Sequence, residues 1–150
     1  MGKLRLDVLD QDGDLLVDAC ANLIVTAFAD PVRYDKQRVV AELTQRDPAY
    51  YRRFFIAMEA GEVVGIGGIK AADWASNTHL LYLSAVRPDR RGKGIGRALI
   101  QARLDWLKQH FPHGRVLVST QRTKRYRELG FKDIRGSHLA GRHLMLLRFK

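Results

Sequence analysis

Cysteine is almost missing from this chain of 150 residues, which contains Cys20 and no other. A single cysteine excludes an internal disulfide framework and is typical of proteins from a reducing compartment. Long apolar runs are also missing, and none approaches the roughly 20 residues that a membrane-spanning helix requires. The N-terminus lacks the apolar region of a signal peptide, and Leu6 stands where a myristoylation signal requires Ser or Thr. We therefore expect a soluble, cytoplasmic protein with no membrane partner.

Acidic residues are scarce relative to basic ones, since 16 Asp and Glu face 26 Lys and Arg and give a formal net charge of +10. A chain with this balance attracts anions, and the charge alone does not choose among nucleic acid, an anionic membrane surface and a phosphorylated small molecule. Hydrophobic residues make up 46% of the chain, which excludes a disordered tail. The length predicts a single domain over residues 1–150 with a substantial core.

The hydrophobic pattern predicts strands and helices in the order β α α β β β α β α β β. Strand signals cover the segments 4–8, 53–59, 63–71, 80–86, 116–119, 131–134 and 142–149. Helical signals run through 15–28, from a cap at Asp35 to Asp47 and Pro48, from Ile95 to Pro112, and through 123–129. This order predicts a layered α/β domain with a mixed sheet.

One segment combines glycines with a high density of positive charge. Gly92, Gly94 and Gly96 alternate where a buried strand gives way to a helix. A helix N-terminus exposes N–H groups, and glycines let a phosphate approach the backbone, so the segment is predicted to bind a pyrophosphate. A solvated basic loop whose glycines only serve the turn remains the alternative, and neither the Walker nor the dinucleotide pattern fits. The basic residues of the segment are Arg87, Arg90, Arg91, Lys93, Arg97 and Arg103.

Two sequence blocks, Arg91-x-x-Gly94-x-Gly96 and residues 126–131, resemble motifs of the GNAT family of N-acetyltransferases. Arg91-x-x-Gly94-x-Gly96 is similar to the family's acetyl-CoA signature, Gln/Arg-x-x-Gly-x-Gly/Ala. Residues 126–131 are similar to its later Tyr-x-x-x-Gly-Phe motif. The predicted element order also matches, so the resemblance extends over nearly the whole chain. It implies a GNAT-like fold, with a mixed, mostly antiparallel central sheet flanked by helices.

The resemblance implies acetyl-CoA as cosubstrate and direct attack by a primary amine acceptor in a ternary complex. The glycine segment would bind the pyrophosphate, and the end of the preceding strand would pair with the pantetheine arm and polarise the acetyl carbonyl. Tyr126 would protonate the leaving thiolate. The alternative is that Tyr126 is only a packing residue beside Leu129 and Phe131. The residues implied to contact acetyl-CoA are Ser84, Ala85, Val86, Arg91, Gly92, Lys93, Gly94, Ile95, Gly96, Arg97 and Ser119.

The sequence departs from the family after strand 116–119, where many members carry an Asn. Ser119 and Thr120 stand there instead, and either can supply a hydrogen-bonding group. The five histidines show no metal-ligand spacing, so no metal is expected. No general base is identifiable, because each candidate is expected at the surface or in a turn. These candidates are Glu59, Glu62, Asp73 and His79.

The acceptor is not identified by the sequence, although the basic balance disfavours a polycation. Loops 31–34, 72–77 and 136–142 are expected to line its pocket. Cys20 lies among apolar neighbours and is expected to be a small buried side chain instead of a nucleophile.

Two other hypotheses for the function remain. The first is a non-catalytic acyl-CoA-binding sensor or interaction domain on the same fold. The second is a nucleic-acid binder, which the lack of a recognised binding motif disfavours. A homodimer is the commonest assembly for a protein that oligomerises.

Overall fold

Seven strands, four α-helices and a short 3-10 helix (Pro88–Arg90) lie within the residues that a computed structural model describes, 3–45, 50–137 and 140–150. The order of the strands and α-helices, β α α β β β α β α β β, is the predicted one. The strands are β1 (Arg5–Val8), β2 (Arg52–Glu59), β3 (Glu62–Ala71), β4 (Thr78–Val86), β5 (Gly114–Thr120), β6 (Lys132–Asp133) and β7 (His143–Phe149). The helices are α1 (Asp14–Phe28), α2 (Lys36–Thr44), α3 (Ile95–His110) and α4 (Thr123–Glu128).

The element bounds differ from the predicted ones by a few residues. The sixth strand is shorter than predicted, because Phe131 turns into the core and its N–H donates to the Tyr126 carbonyl at 3.0 Å. The second helix ends at Thr44, and its predicted end at Asp47 and Pro48 lies outside the described residues.

One sheet carries the strands in the order β1-β2-β3-β4-β5-β7-β6. In the described residues β4 and β5 form a parallel pair, and the other neighbouring strands pair antiparallel. The prediction of a mixed, mostly antiparallel sheet is therefore confirmed. Because β4 and β5 run in the same direction, their C-terminal ends lie at the same edge of the sheet.

Helices cover the sheet on both faces. Leu99, Ile100 and Leu104 of α3 pack with Val116 and Val118 of β5 on one face, in a core cluster that also contains Tyr126 of α4. On the other face, α1 and α2 form a second cluster with inward residues of β2, β3 and β4. The cleft between the C-terminal ends of β4 and β5 thus has an α3/α4 face and an α1/α2 face.

Cys20 belongs to the second cluster and has no exposed surface. Burial raises the pKa of its thiol to about 12, so the thiol is protonated at neutral pH. The prediction of a small buried side chain is confirmed. None of the described helices combines the length and the apolar character needed to span a membrane.

Candidate active site

β4 and β5 separate part way along their length. They pair from Thr78 opposite Arg115 to Leu81 opposite Val118, and past that point each continues only with its outer neighbour. A cavity of about 530 Å³ lies where the two strands diverge. This volume is within the range of small-molecule sites, which commonly lie beyond the C-terminal ends of parallel strands.

A bulge in β4 shapes one wall of the cavity. Ile66 pairs with Ala85 and Gly68 pairs with Tyr82, so the single residue Gly67 faces two residues of β4. One of the two, Leu83, has a φ of +50°, a left-handed conformation that is uncommon for a non-glycine residue. A bulge of this kind interrupts the ladder and redirects backbone groups, here at the wall of the cavity.

Arg103 supports this bulge from the interior of α3. Its side chain has no exposed surface, although the sequence placed it in the basic segment. The Nε group donates to the Leu99 carbonyl at 3.0 Å, and Nη1 donates to the Gly68 carbonyl at 2.9 Å and to Ser84 Oγ at 3.0 Å. A Cβ on Gly67 would lie 2.5 Å from Arg103 Cζ, so only glycine leaves room for the guanidinium.

Arg103 has no carboxylate partner among the described residues. Burial lowers the pKa of its guanidinium, and the neighbouring hydroxyl of Tyr126 counteracts this effect in part. Arginine stays protonated in proteins, so a positive charge is held at the inner wall of the cavity. The hydrogen-bond acceptors of this guanidinium are uncharged carbonyl and hydroxyl oxygens.

The glycine segment begins α3 at the mouth of the cavity. Gly92 and Gly94 have φ values of +78° and +82°, a conformation that glycine adopts at little cost. Gly94 is the N-cap of α3 and provides no side-chain hydrogen bond to the first turn. The backbone N–H groups of that turn are therefore available to an anion, and the helix dipole favours one there.

The structure brings most of the predicted site residues to the cavity. Those that line it are Ser84, Ala85, Val86, Arg91, Gly92, Gly94, Ile95, Gly96, Ser119 and Tyr126. Lys93 and Arg97 do not line it. The Arg97 guanidinium instead donates to Glu128, and this hydrogen bond holds the pKa of the Glu128 carboxyl below its usual value.

Tyr126 is 4% exposed and lies both in the core and on the cavity wall. Its ring packs edge-on against Phe131, with centroids 5.2 Å apart, so it is a core residue. It also lines the cavity, with its hydroxyl beside the Arg103 guanidinium. A phenol so placed has a cationic neighbour and access to a bound molecule.

The four candidate bases lie away from the cavity lining. Glu59 accepts a hydrogen bond from Arg90 at 2.8 Å, and Asp73 is exposed. Glu62 pairs with an arginine of the loop after β4. His79 was expected at the surface or in a turn, and this was wrong, because it is 3% exposed in β4 with Nδ1 2.6 Å from the Tyr51 hydroxyl. Burial lowers the pKa of His79.

The expected acceptor loops divide into two groups. Arg33 and Tyr34 of loop 31–34 and Arg142 at the end of loop 136–142 line the cavity. His138 and Leu139 of the latter loop lie outside the described residues. Loop 72–77 was placed wrongly, because it joins the start of β4 at the opposite end of the sheet, where the Asn77 carbonyl accepts from the Arg115 N–H at 2.9 Å.

The cavity wall is strongly positive. Asp30 is the acidic residue among the described residues that line it, and no lysine or histidine lines it. Arg103 and Asp30 were not predicted as part of the site, although Arg103 follows Ile95 and Leu99 at helical spacing. The arginines of the wall are Arg33, Arg90, Arg91, Arg103, Arg122, Arg125 and Arg142.

Comparison with known proteins finds this architecture repeatedly. The sequence profile described as the acetyltransferase (GNAT) family matches residues 17–131. Escherichia coli ElaA is similar in structure, with a TM-score of 0.77 and 17% identity over 96% of this chain and 99% of that one. An acyl-CoA N-acyltransferase from Pseudomonas aeruginosa has a TM-score of 0.75 and 16% identity over 96% and 99% of the two chains.

A third similar structure is the PaiA N-acetyltransferase of Thermoplasma acidophilum in complex with coenzyme A. It has a TM-score of 0.73 and 15% identity over 98% of this chain and 99% of that one. At such identities the likeness concerns the fold alone. No protein of curated function matches the chain by sequence.

Proposed function

The chain belongs to the acetyltransferase (GNAT) family, and on this premise we propose that it transfers the acetyl group of acetyl-CoA to a primary amine by direct attack in a ternary complex. The observation that carries the proposal is the cavity between the diverging ends of β4 and β5, with the glycine segment at its mouth and Tyr126 on its wall. Acetyl-CoA would supply the activated acetyl group as a thioester.

The residues of the cavity fit a CoA thioester. The N–H groups of the first turn of α3 and the guanidinium of Arg91 offer donors for the pyrophosphate. Arg125 lies across the same turn, since a Cβ on Gly96 would be 2.5 Å from its Nη1. These groups bind and orient the nucleotide end.

The bulge of β4 is the proposed site of acyl activation. Backbone N–H groups between Ser84 and Val86 would donate to the carbonyl oxygen of the acetyl group and stabilise the negative charge that develops there. The positive charge of Arg103 behind Ser84 acts in the same direction. In the transfer, the bond from the amine nitrogen to the acetyl carbon forms and the carbon–sulfur bond breaks.

Tyr126 would donate its proton to the leaving sulfur, and the amine gives up a proton to solvent. The cavity wall offers no general base among its described residues apart from Asp30, whose Oδ1 accepts the Arg33 N–H at 3.2 Å. The acceptor is therefore expected to react as the neutral amine, and activity should rise with pH until the amine is largely unprotonated.

The first test is a thermal-unfolding titration with acetyl-CoA, in the wild type and in Gly94→Ala. A ligand that binds only the folded state adds about 2.7 kcal/mol of stability at a hundredfold excess over Kd. Gly61→Ala is the matched control, because Gly61 also has a positive φ, +79°, with open space around a Cβ, and it lies in the turn between β2 and β3.

Both alanine variants should lose about 1–2 kcal/mol of stability from the left-handed backbone. Only Gly94→Ala should also lose the stabilisation by acetyl-CoA. Equal loss of acetyl-CoA binding in both variants, or no stabilisation of the wild type, would contradict the proposal. Stabilisation without release of the CoA thiol over an amine panel would favour the non-catalytic sensor instead.

A further inference from the structure

Arg142 lies on the opposite side of the cleft from the glycine segment. Val118 packs in the core cluster under α3, and side chains alternate along a strand, so Ser119 faces the α1/α2 side. Arg142 donates from Nε to Ser119 Oγ at 3.2 Å and from Nη2 to the Ser119 carbonyl at 2.6 Å. Its guanidinium is thus fixed on the α1/α2 face, at the end of β5.

Arg33 contributes a second positive charge on this face. It stands in the turn between α1 and α2, with Cζ 5.6 Å from the centre of the Tyr34 ring. Tyr34 stacks on Phe28 with centroids 4.3 Å apart, and both rings pack against the α1/α2 core cluster. In the described part of the chain neither Arg33 nor Arg142 forms an ion pair with a carboxylate.

Phosphates bound at the start of α3 would not neutralise these two arginines. The glycine segment leads into α3, and Arg125 and Tyr126 belong to α4; these two helices cover the other face of the sheet. The nucleotide accounts for the positive charge on that face only. The arginines of the α1/α2 face therefore remain available to a different anion, although Asp30 of the same turn also lines the cavity.

We infer that the amine acceptor carries an anionic group, in the first place a carboxylate as in an amino acid, which pairs with Arg142 while the amine reaches the cleft. This inference rests on the proposed acetyl transfer. Nε and one Nη2 hydrogen bond hold Arg142 on Ser119, and no hydrogen bond joins its Nη1 to a described residue. The outer edge of the guanidinium therefore remains for a carboxylate, which it can bind with two parallel hydrogen bonds.

The positive wall also bears on the amine itself. An acceptor with only ammonium groups would be repelled by the arginines of the cavity, whereas a carboxylate compensates for that repulsion. A cationic environment favours the neutral form of a nearby amine, which is the nucleophilic form. A wall with little acidic character is thus consistent with attack by an amine that no side chain deprotonates.

The test compares acceptors that differ only in the anionic group. Amino acids are paired with their amides, and 4-aminobutyrate with butylamine. Release of the CoA thiol is measured, and each kcat/KM is expressed per concentration of the neutral amine. We expect the carboxylate member of at least one pair to have the higher kcat/KM. Arg142→Gln should lower that kcat/KM about ten- to hundredfold, mainly through KM, and abolish the preference.

Arg148→Gln is the control for net charge. Arg148 is exposed on β7 and lies opposite Arg115 of β5 in the strand register, at the far end of the sheet. This variant should leave kcat/KM unchanged. Arg142→Lys, which keeps the charge but not the planar pair of donors, should recover part of the preference. Unfolding curves and acetyl-CoA titrations of each variant show whether folding and donor binding are intact.

The outcomes separate this inference from the proposed function. A wild type that binds acetyl-CoA and acetylates amides or plain amines as well as acids refutes the inference and leaves acetyl transfer standing. A loss of acetyl-CoA affinity in Arg142→Gln also refutes it, because Arg142 would then serve the nucleotide. A wild type that neither binds acetyl-CoA nor acetylates any amine refutes both.

Discussion

Replacement of Arg103 tests how a buried cation without a carboxylate partner is stabilised. In Arg103→Met the long side chain and most of its volume remain, but the donors to the carbonyl of Gly68 and to Ser84 Oγ are lost. These partners are neutral, so the substitution leaves no buried charge behind, unlike the removal of one member of a buried ion pair, which costs about 3–5 kcal/mol.

The expected cost follows from the groups that lose their partner. A buried carbonyl without a hydrogen bond costs about 1–3 kcal/mol, whereas the hydroxyl of Ser84 can turn to another acceptor. Removal of a desolvated cation offsets part of this cost. We therefore expect Arg103→Met to lower the free energy of unfolding by about 1–3 kcal/mol at neutral pH.

Arg103→Lys should be the more damaging change at pH 7. It keeps a buried charge while removing the planar arrangement of donors. Burial disfavours the charged form of lysine, so its pKa in the folded state would fall below the unfolded value of about 10.4. The unfolded chain then binds more protons, and the stability of this variant should rise with pH relative to the wild type, steadily through the alkaline range below that value.

Urea unfolding of the three proteins, followed by circular dichroism between pH 7 and pH 9.5, measures both effects. The reasoning is refuted by an Arg103→Lys variant that is more stable than Arg103→Met at pH 7. It is also refuted by a difference between Arg103→Lys and wild type that does not change with pH. A large loss in Arg103→Met, beyond about 5 kcal/mol, would mean that the charge itself stabilises the fold.

Three further predictions concern other buried groups. Tyr126→Phe keeps the packing on Phe131 and should lower kcat about a hundred- to ten-thousandfold with acetyl-CoA affinity unchanged; unchanged turnover would leave it a packing residue only. His79 has a pKa lowered from 6.5 by burial, so stability should fall as pH drops below 6.5, by up to about 1.4 kcal/mol per pH unit, and His79→Phe should remove this part of the pH dependence of urea midpoints. Cys20 should react with a thiol reagent at pH 8 only as fast as the protein unfolds, and rapid labelling without urea would contradict its complete burial.

Local patterns were sufficient for the order of the elements, and the resemblance to the family motifs identified much of the cavity wall. The spacing of apolar residues and the helix caps are signals that depend only on nearby residues. The glycine segment also lies between a strand and a helix whatever the arrangement of the other elements. Nine predicted acetyl-CoA contacts and Tyr126 line the cavity, and the family resemblance implied all ten of these residues. Lys93 and Arg97 were included because they lie within the motif, but alternate residues of a loop or helix point in different directions.

Features that depend on pairing between distant segments could not be predicted in the same way. The bulge at Leu83 requires the register between β3 and β4, and the position of loop 72–77 requires the direction of β4 in the sheet. Arg103 and His79 were misjudged for another reason. Each stands at a position that the apolar periodicity of its helix or strand marks as buried. The prediction placed His79 at the surface or in a turn and counted Arg103 in the basic segment, because charged and polar side chains are usually exposed.

α3 connects the two ends of the proposed acetyl-CoA site through one rigid element. Its first turn follows the glycine segment, and Arg103, eight residues after Ile95, holds the bulge of β4. At about 1.5 Å per residue, this fixes a distance of about 12 Å along the helix between the phosphate-binding end and the wall proposed to activate the acyl group. If the proposed site holds, the helix would set the length of the donor that fits, and an acyl carrier with a shorter or longer arm would place its thioester off the bulge even with its phosphates bound.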